Sequence, residues 1–418
     1  MRILFFTHYF PPEVNAPANR TFEHCHAWAN AGHEVHVVTC VPSHPLGRPF
    51  AGFRRCWYRH DVADRIHVHR VWTCLAPNRA VFWRIANYLS FVPTAVWRAW
   101  RLGRFDVAVG TSPQFFCAVA TWLYTRVRRI PWVFELRDLW PESIPAVGAM
   151  RRSVGLRLVE RLELRMYRDA TTVVCLTRSF MTNLIERGVD PAKLVFVPNG
   201  IDAAFWRKGD RETGRASMHL QPDDVGVAYV GTLGMAHGLE TVLDAARALR
   251  EERHIKFFIA GDGAEREALQ RRAASDALGN VAFTGLLPRC DIPSMLAGVD
   301  IVLVTLKARE VFKTVLPSKM LEAMAAGQPI ALGVSGEAKA TLERAGAGLA
   351  FQPGSAHELA TVIRQLAGDA TMRRVMGSAG RAFVEKEFSR QVWASEFLRM
   401  LQGIGAKVPE LSALATSD

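Results

Sequence analysis

The sequence lacks closely spaced cysteines, long apolar runs and low-complexity segments. Its seven cysteines are scattered along the 418 residues, and no two of them are spaced as CxxC. This argues against a disulfide framework and against a structural zinc site. No stretch reaches the roughly 18–20 apolar residues of a transmembrane helix. With 49% hydrophobic and 22% charged residues, the composition predicts a globular protein of two or three domains in a reducing cytoplasm.

Acidic residues are scarce in the first half of the chain. The formal net charge of +12 arises entirely within residues 1–200, whereas residues 201–418 are neutral overall. Such an asymmetry indicates an anionic partner for the first half: a nucleic acid, a membrane surface or a phosphorylated acceptor. A basic surface that serves only solubility is the alternative.

An aromatic and basic segment without acids covers residues 79–104. Its rings and guanidinium groups both find partners in the headgroup layer of a membrane. We therefore expect it to bind an anionic membrane surface, and a pair of core helices rimmed by arginine is the alternative. The residues expected to contact the acceptor or the membrane surface are Trp83, Arg84, Trp97, Arg98 and Trp100, together with Arg20 of the first predicted helix.

Apolar strands alternate with helices along the chain, as in parallel sheets that are covered on both faces. Residues 2–6 and 34–39 are predicted strands around a helix at 18–30, and the alternation restarts at residue 227. The predicted fold class is α/β, with two Rossmann-like doubly wound parallel-sheet domains that face a central cleft.

The domain boundary is expected where a proline and a glycine interrupt the pattern, in the segment VPNGID. We expect an N-terminal acceptor-facing and membrane-facing domain at residues 1–198 and a nucleotide-sugar domain at 199–386. Residues 387–418 are expected to form a helix that packs back toward the first domain, followed by a tail that is loose from about residue 403.

A glycine-rich loop follows the first strand of the second domain and precedes a helix, the context in which such loops bind phosphate. Its candidate contacts are Gly231, Thr232, Gly234 and His237. It lacks the Gly-Lys-Ser/Thr ending of a Walker loop, and His237 is either a phosphate donor or a helix cap. In the next loop, beside Gly263, Asp262 is expected to set the turn or to cap a helix.

A second candidate anion site lies at the start of a later helix. Ser318 is suited to cap this helix, and Lys319 then lies in its first turn, where a cation opposes the helix dipole. A bound anion accounts for this cation, and Glu322, one turn further on, can accept hydrogen bonds from a ribose. The alternative is an exposed Lys319–Glu322 ion pair of little energetic value.

Two further groups of residues follow strands in the first domain. Asn15 and Ala16 precede a helix whose free backbone amides favour an anion, with a merely rigid loop as the alternative. Glu135, Arg137 and Asp138 follow an apolar strand, where charges are unfavourable unless they are paired or used. Pairing of Arg137 with an acid is the structural alternative there.

These motifs together resemble the family-4 retaining glycosyltransferases of GT-B fold. The resemblance spans residues 1–390 and rests on THYFPPEVNAPANR, ELRDLWPES, VPNGID, YVGTLGMAHGLE, VAFTGLLP and LPSKMLEAMAAGQP. ELRDLWPES together with LPSK is similar to transferases of O-antigen, capsule and colanic-acid pathways, among them enzymes that add N-acetylfucosamine-type sugars.

The resemblance implies transfer of a hexosyl group from a nucleotide sugar, expected to be UDP-linked, to a polyprenyl-diphosphate-linked saccharide at the inner face of the cytoplasmic membrane. It implies diphosphate binding by Lys319, ribose binding by Glu322, and base binding by the backbone at Phe283, Gly285 and Leu286. Asp138 is then placed near the transfer centre. We expect no cofactor, no metal and no nucleic-acid partner.

The chain departs from the family's pattern in two places. The position of the family's first glutamate is Thr314, so Glu310 or Lys313 is left to contact the sugar hydroxyls. The Arg and Lys usual after the first strand of the donor domain are also missing. The diphosphate then depends on Lys319, His237 and backbone amides, with Arg20 or Arg137 as further cations.

Two other functions remain open from the sequence. A GT-B-fold UDP-sugar epimerase also binds a nucleotide sugar, although it requires an acid/base pair and no lipid surface. A nucleic-acid-binding protein would use the basic half, but the sequence has no recognition motif for one.

Overall fold

The computed structural model describes residues 1–13, 15–43, 47–75, 81–112, 114–139 and 154–414. The chain forms two compact units. The first unit comprises the described residues up to Pro198 together with the chain from Gln391 onward, and the second comprises Asn199–Arg390. The chain therefore enters the second unit once and then returns to the first.

An eight-stranded sheet forms the centre of the first unit, in the order β3-β4-β2-β1-β5-β6-β7-β8. Neighbouring strands are parallel except β3 and β4, which are antiparallel. The inner strands are buried at nearly every position, because both faces of a parallel sheet are covered. The strands are β1 Arg2–Phe6, β2 Glu34–Cys40, β3 Tyr58–Ala63, β4 Ile66–Val71, β5 Val107–Thr111, β6 Trp132–Leu136, β7 Thr172–Cys175 and β8 Leu194–Phe196.

Helices connect these strands. Their bounds are α1 Ala16–Asn30, α2 Val81–Arg101, α3 Phe115–Arg128, α4 Val154–Asp169 and α5 Arg178–Glu186, with a 3₁₀ turn at Pro191–Lys193. Ile3 and Phe5 of β1 lie in a buried cluster with Trp28 of α1, so that α1 covers one face of the sheet.

A six-stranded parallel sheet forms the centre of the second unit, in the order β11-β10-β9-β12-β13-β14. Successive side chains of β9 enter opposite buried clusters, Ala228 on one face and Val227 and Tyr229 on the other. The strands are β9 Val225–Val230, β10 Ile255–Ala260, β11 Val281–Gly285, β12 Ile301–Thr305, β13 Ile330–Gly333 and β14 Gly348–Ala350.

The helices of the second unit cover both faces of this sheet. They are α6 Ala203–Trp206, α7 Arg211–Ser217, α8 Glu240–Ala248, α9 Arg266–Ser275, α10 Ile292–Gly298, α11 Ser318–Ala326, α12 Glu337–Ala345, α13 Ala356–Gly368 and α14 Ala370–Glu387, with a 3₁₀ helix at Glu310–Thr314.

A final helix, α15 Arg390–Leu414, returns the chain to the first unit. Its Phe397 and Leu401 belong to the same buried cluster as Phe5 and Trp28, and the Trp28 indole donates to the carbonyl of Ala394 over 3.2 Å. The C-terminal helix is therefore part of the core of the first unit.

The two ends of the second unit lie side by side. The backbone amide of Ile201 donates to the carbonyl of Phe388 over 2.8 Å, and that of Arg390 donates to the carbonyl of Ile201 over 3.1 Å. A parallel bridge between Ile201 and Ser389 completes this contact.

The first sheet is parallel as predicted, except for an antiparallel edge hairpin of β3 and β4 whose turn, Asp64-Arg65, has positive φ at both residues. Two sequence-based expectations differ from the structure. The expected loose tail from residue 403 is wrong up to Leu414, since α15 continues to that residue. Ser318 is the first residue of α11 and not its cap, which is Pro317.

Candidate functional site

Two loops follow β9 and β10 at the same edge of the second sheet and pack backbone against backbone. The amide of Gly231 donates to the carbonyl of Ala260 over 2.9 Å. A Cβ on Gly261 would lie 1.9 Å from the Gly231 oxygen, and a Cβ on Gly263 would lie 2.4 Å from the Leu233 oxygen. Only glycine fits these two positions, so Gly261 and Gly263 are required for the loop after β10 to pack against the predicted glycine loop after β9.

The Lys319 amine lies against the glycine loop that follows β9. Lys319 is in the first turn of α11, and its Nζ donates to the Tyr229 hydroxyl over 2.7 Å. A Cβ on Gly231 would lie 3.0 Å from this Nζ. Burial lowers the pKa of Lys319 to about 7, although the nearby Glu322 opposes the shift. The sequence-predicted lysine and glycine loop are therefore brought together.

Glu322 lies one turn along the same helix and is half-buried. Burial raises its pKa, and the cations Lys319, Arg289 and Arg390 oppose that rise. The structure pairs the Lys319 amine with Tyr229 and not with Glu322, so the alternative of an exposed ion pair is wrong. The Glu322 carboxyl is left for another partner.

His237 lies at the end of the same glycine loop. Its ring packs edge-on against Tyr229, with centroids 5.9 Å apart. Burial, together with the charge of Lys319, lowers its pKa to about 4, and its Nδ1 is buried without a hydrogen-bond partner. The N-cap residue of helix α8 is Leu239, so His237 does not cap this helix. Because of its low pKa, the His237 imidazole is neutral at pH 7.

Thr232 and Gly234 complete the loop. Thr232 is exposed, and its carbonyl accepts from the Tyr229 hydroxyl over 2.7 Å. The nearest atoms to a Cβ on Gly234 would be 3.6 Å away, which leaves space above the loop. Asp262 acts in the next turn, where its carboxylate accepts from the Gly263 amide over 2.8 Å.

The end of β11 adjoins these loops. Gly285 has a positive φ of 74°, and its carbonyl accepts from the Gly261 amide over 2.8 Å. Phe283 is partly buried in the core, whereas Leu286 is 77% exposed. An exposed apolar side chain, that of Leu286, therefore stands beside the glycine loops.

A cavity of 240 Å³ lies beyond β12 and β13 in the same unit. Its lining includes Lys307, Arg309, Glu310, Lys313 and Ser335. The amide of Lys307 donates to the carbonyl of Ala236 over 2.8 Å, so the cavity adjoins the loop that carries His237. Both residues proposed to replace the family's first glutamate, Glu310 and Lys313, line this cavity and pair with each other over 2.8 Å.

In the first unit, Glu135 is paired with Arg20 and not with Arg137. The Arg20 Nε lies 2.8 Å from the Glu135 carboxylate, and both side chains are buried. Burial alone would raise the pKa of Glu135, but Arg20 and Arg137 lower it to about 2. Arg20 also donates to the carbonyls of Val197 and Pro198. This geometry makes Arg20 a structural residue, in contrast to the predicted surface contact.

Arg137 and Asp138 follow at the end of β6. The Arg137 amide donates to Ser112 Oγ over 2.8 Å, and burial lowers the pKa of its guanidinium to about 10. Burial raises the pKa of Asp138 to about 6, with Arg137 opposing. Asp138 is therefore the acid of this cluster that titrates close to neutral pH.

At the start of α1, Asn15 is a helix cap. Its Oδ1 accepts from the Ala18 amide over 2.9 Å, while its Nδ2 is buried without a partner. Ala16 is the first residue of the helix. The side-chain amide donor, and not the carbonyl, is thus the group left for a ligand.

Helix α2 carries the predicted aromatic and basic surface. Trp83, Trp97 and Trp100 are 49%, 63% and 44% exposed. Arg98 lies over the Tyr58 ring at 3.8 Å, so it packs on the sheet edge, and the side chain of Arg84 lies outside the described residues. In the described part of the chain, no helix combines the length and the apolarity needed to cross a bilayer.

One residue of this site was not singled out by the sequence. Tyr229 is the partner of Lys319, and the only sequence signal for it is a hydroxyl-bearing side chain in an otherwise aliphatic strand.

Across the described residues, no group of three or more His, Cys, Asp or Glu side chains is arranged to hold a metal ion.

Comparisons with known proteins identify the family of domains to which the chain belongs. Residues 15–200 match the glycosyl transferase 4-like domain, and residues 210–383 match glycosyl transferases group 1. The chain is 26% identical to the putative colanic acid biosynthesis glycosyl transferase WcaI of Escherichia coli K12, over 96% of this chain and all of the relative.

Solved structures give the fold class. Sucrose-phosphate synthase from Thermosynechococcus elongatus has a TM-score of 0.77 at 17% identity and covers 97% of this chain and 99% of its own. Anabaena HepE, solved with UDP and glucose, has a TM-score of 0.73 at 18% identity and covers 96% and 99%. The fold is GT-B, with two parallel-sheet α/β domains.

Proposed function

We propose a transfer reaction for this chain, which is a glycosyltransferase with a glycosyl transferase 4-like domain and a group 1 domain. The reaction moves a hexosyl group from a UDP-sugar to a lipid-linked saccharide with retention of configuration. An N-acetylated deoxyhexose is one candidate for the sugar. The pathway is surface polysaccharide biosynthesis, in keeping with the colanic-acid relative.

The observation that carries this proposal is the Lys319 amine beside Gly231 at the start of α11. When the glycosidic bond to the donor breaks, negative charge develops on the leaving diphosphate. A lysine and the free backbone amides of a helix N-terminus stabilise such charge. Neutral His237 can donate one hydrogen bond to the same group.

The nucleoside is assigned to the adjacent groups. The Glu322 carboxyl is proposed to accept hydrogen bonds from the ribose, and the base is proposed to lie along Gly285 and Leu286. The UDP bound in the HepE structure supports uridine as the base. The sugar is proposed to occupy the cavity that Lys307, Glu310 and Lys313 line.

Transfer is proposed to proceed by front-face attack without a metal ion. In this route the acceptor hydroxyl forms its bond to the anomeric carbon on the face from which the diphosphate leaves, and the leaving diphosphate accepts the hydroxyl proton. The protein then supplies neither a nucleophile nor a general base. Asp138 is assigned the orientation of the acceptor hydroxyl or of the sugar, since its carboxyl titrates near neutral pH. Arg137 holds a positive charge beside it.

The first unit is assigned the acceptor. Its net positive charge and the exposed tryptophans of α2 suit a diphosphate-linked lipid at the inner face of the cytoplasmic membrane. The protein is then a cytoplasmic enzyme held peripherally at that surface.

The test is incubation with a panel of UDP-, GDP- and dTDP-sugars and polyprenyl-diphosphate-linked saccharides, followed by NMR. We expect transfer from a UDP-sugar with retained anomeric configuration, at a rate that EDTA does not change. Epimer formation without acceptor, loss of turnover in EDTA, or transfer with inversion would each contradict the proposal.

A further inference from the structure

The neighbours of Lys319 are unusual for a half-buried lysine. An ammonium group removed from water is normally balanced by a carboxylate. The ion pairs of the described residues include the neighbouring Lys307 and Lys313 but not Lys319, whose amine bonds instead to the neutral hydroxyl of Tyr229 over 2.7 Å. The position of this cation therefore depends on a phenol.

We propose that Tyr229 is a positioning residue for the donor diphosphate, holding the Lys319 amine against the glycine loop. The inference rests on the proposed function and adds to it a residue outside the donor contacts assigned above. Tyr229 itself acts through Lys319.

The Tyr229 hydroxyl is fixed from both sides. Its ring is fully buried on one face of the second sheet, so its side-chain torsions are set by packing. Its proton is donated to the Thr232 carbonyl over 2.7 Å. The hydroxyl oxygen is then left to accept from Lys319, and one phenol joins the lysine to the loop backbone.

This arrangement suits anion binding better than a salt bridge would. A carboxylate paired with the Lys319 amine would neutralise it and compete with the diphosphate, whereas a phenol orients the amine without cancelling its charge. The nearby Glu322 is not paired with the amine, which bonds to Tyr229. The amine also lies over the Tyr229 ring, 4.1 Å from its centroid, which favours the charged form. The absence of a side chain at Gly231 leaves the approach to the amine open.

The test is a double-mutant cycle with Tyr229→Phe and Lys319→Gln, with UDP and uridine as probes and binding followed by calorimetry and NMR titration. Because a hydrogen bond to a charged group is lost, we expect Tyr229→Phe to weaken UDP binding about tenfold. Uridine binding should not change, since uridine has no diphosphate. In the Lys319→Gln background, Tyr229→Phe should have no further effect.

Tyr124→Phe is the matched control. Tyr124 is buried in the first unit, and its hydroxyl donates to the Gly103 carbonyl over 2.9 Å, so the variant measures the stability lost with a buried phenol hydroxyl. We expect both Tyr→Phe variants to fold with similar losses in Tm, and Tyr124→Phe to bind UDP as the wild type does.

The outcomes separate the two proposals. Equal weakening of UDP binding by Tyr229→Phe in both backgrounds, or equal weakening for UDP and uridine, would overturn the role of Tyr229 and leave the proposed function intact. Unchanged UDP binding in Lys319→Gln would remove the diphosphate role of the lysine, and the proposed function with it.

Discussion

The Lys319 amine titrates near neutral pH, because burial lowers its pKa to about 7. Three titratable groups face it: Glu322 on its own helix, Tyr229 on β9 and His237 on the glycine loop. Burial raises the pKa of Tyr229, and His237, with a pKa of about 4, is neutral above pH 6. Of Tyr229, His237 and Lys319, it is Lys319 that changes charge around pH 7, and burial also raises the pKa of Glu322.

We predict that UDP affinity falls between about pH 7 and about pH 9, by up to about tenfold per pH unit, because the amine loses its proton there while the diphosphate stays ionised. Calorimetry in buffers of different ionisation enthalpy should show proton uptake on binding at neutral pH. Lys319→Arg, whose guanidinium keeps its charge, is the control and should flatten the profile. A flat wild-type profile would contradict the prediction.

The Glu322 carboxyl is predicted to bind the donor ribose. Glu322→Ala should weaken UDP binding about tenfold, because the hydrogen bonds to the ribose are lost, while Tm stays nearly unchanged. Calorimetry and thermal unfolding measure the two effects. Glu267→Ala, at an 89% exposed side chain on α9, is the control, and unaltered UDP affinity in Glu322→Ala would refute the ribose role.

At the scale of elements, the Arg20–Glu135 pair joins α1, β6 and the chain after β8. Glu135→Gln leaves the buried Arg20 charge without its ionised partner, so we expect a loss of about 3–5 kcal/mol in the free energy of unfolding. Urea unfolding measures it. The exposed Arg399–Glu396 pair supplies the control, Glu396→Gln, which should change stability little.

The same pair makes stability depend on acid pH. The pKa of Glu135 is lowered from 4.5 to about 2, so its stabilising contribution is full above pH 4.5 and is lost as the pH falls toward 2. The acid unfolding curve of Glu135→Gln should lack this loss of stability between pH 4.5 and about pH 2. Identical curves for the variant and the wild type between these values would show that the pair does not couple to folding.

The elements were predictable where apolar periodicity is strong. The strands β1 and β2, the helix α1 and the start of β9 lie within two residues of their predicted positions. The β3–β4 hairpin was not predicted, because β3, with the sequence YRHDVA, is a largely exposed edge strand without an apolar run. Pattern analysis detects burial, and an edge strand has little of it.

The individual residues of the candidate site were predictable from the sequence, but the contacts between them were not. Sequence motifs indicated Lys319, Glu322 and the glycine loop, since each motif is local. The partners Tyr229 of Lys319 and Arg20 of Glu135 are distant in sequence, separated by 90 and 115 residues. Such pairings are set by sheet order, which the local pattern leaves undetermined.

At the scale of the molecule, the exposed tryptophans of α2 are predicted to hold the enzyme at a membrane. Replacing Trp83, Trp97 and Trp100 with Ser removes apolar area from the headgroup layer, so sedimentation with anionic liposomes should fall severalfold. Val375→Ser, at a 63% exposed apolar residue of the second unit, is the control. Undiminished sedimentation of the triple variant would remove the membrane role.

The two ends of the second unit are neighbours, because Ile201 is hydrogen-bonded to both Phe388 and Arg390. The last helix of the chain then completes the core of the first unit. The second unit is therefore a continuous insertion within the chain of the first unit. A graft of residues 199–390 from a relative with another donor would leave the host's hydrophobic centre whole, whereas a truncation after residue 198 would strip that centre of its closing helix. The connectivity of the chain thus allows the second unit, and with it the proposed donor site, to be exchanged as one continuous segment.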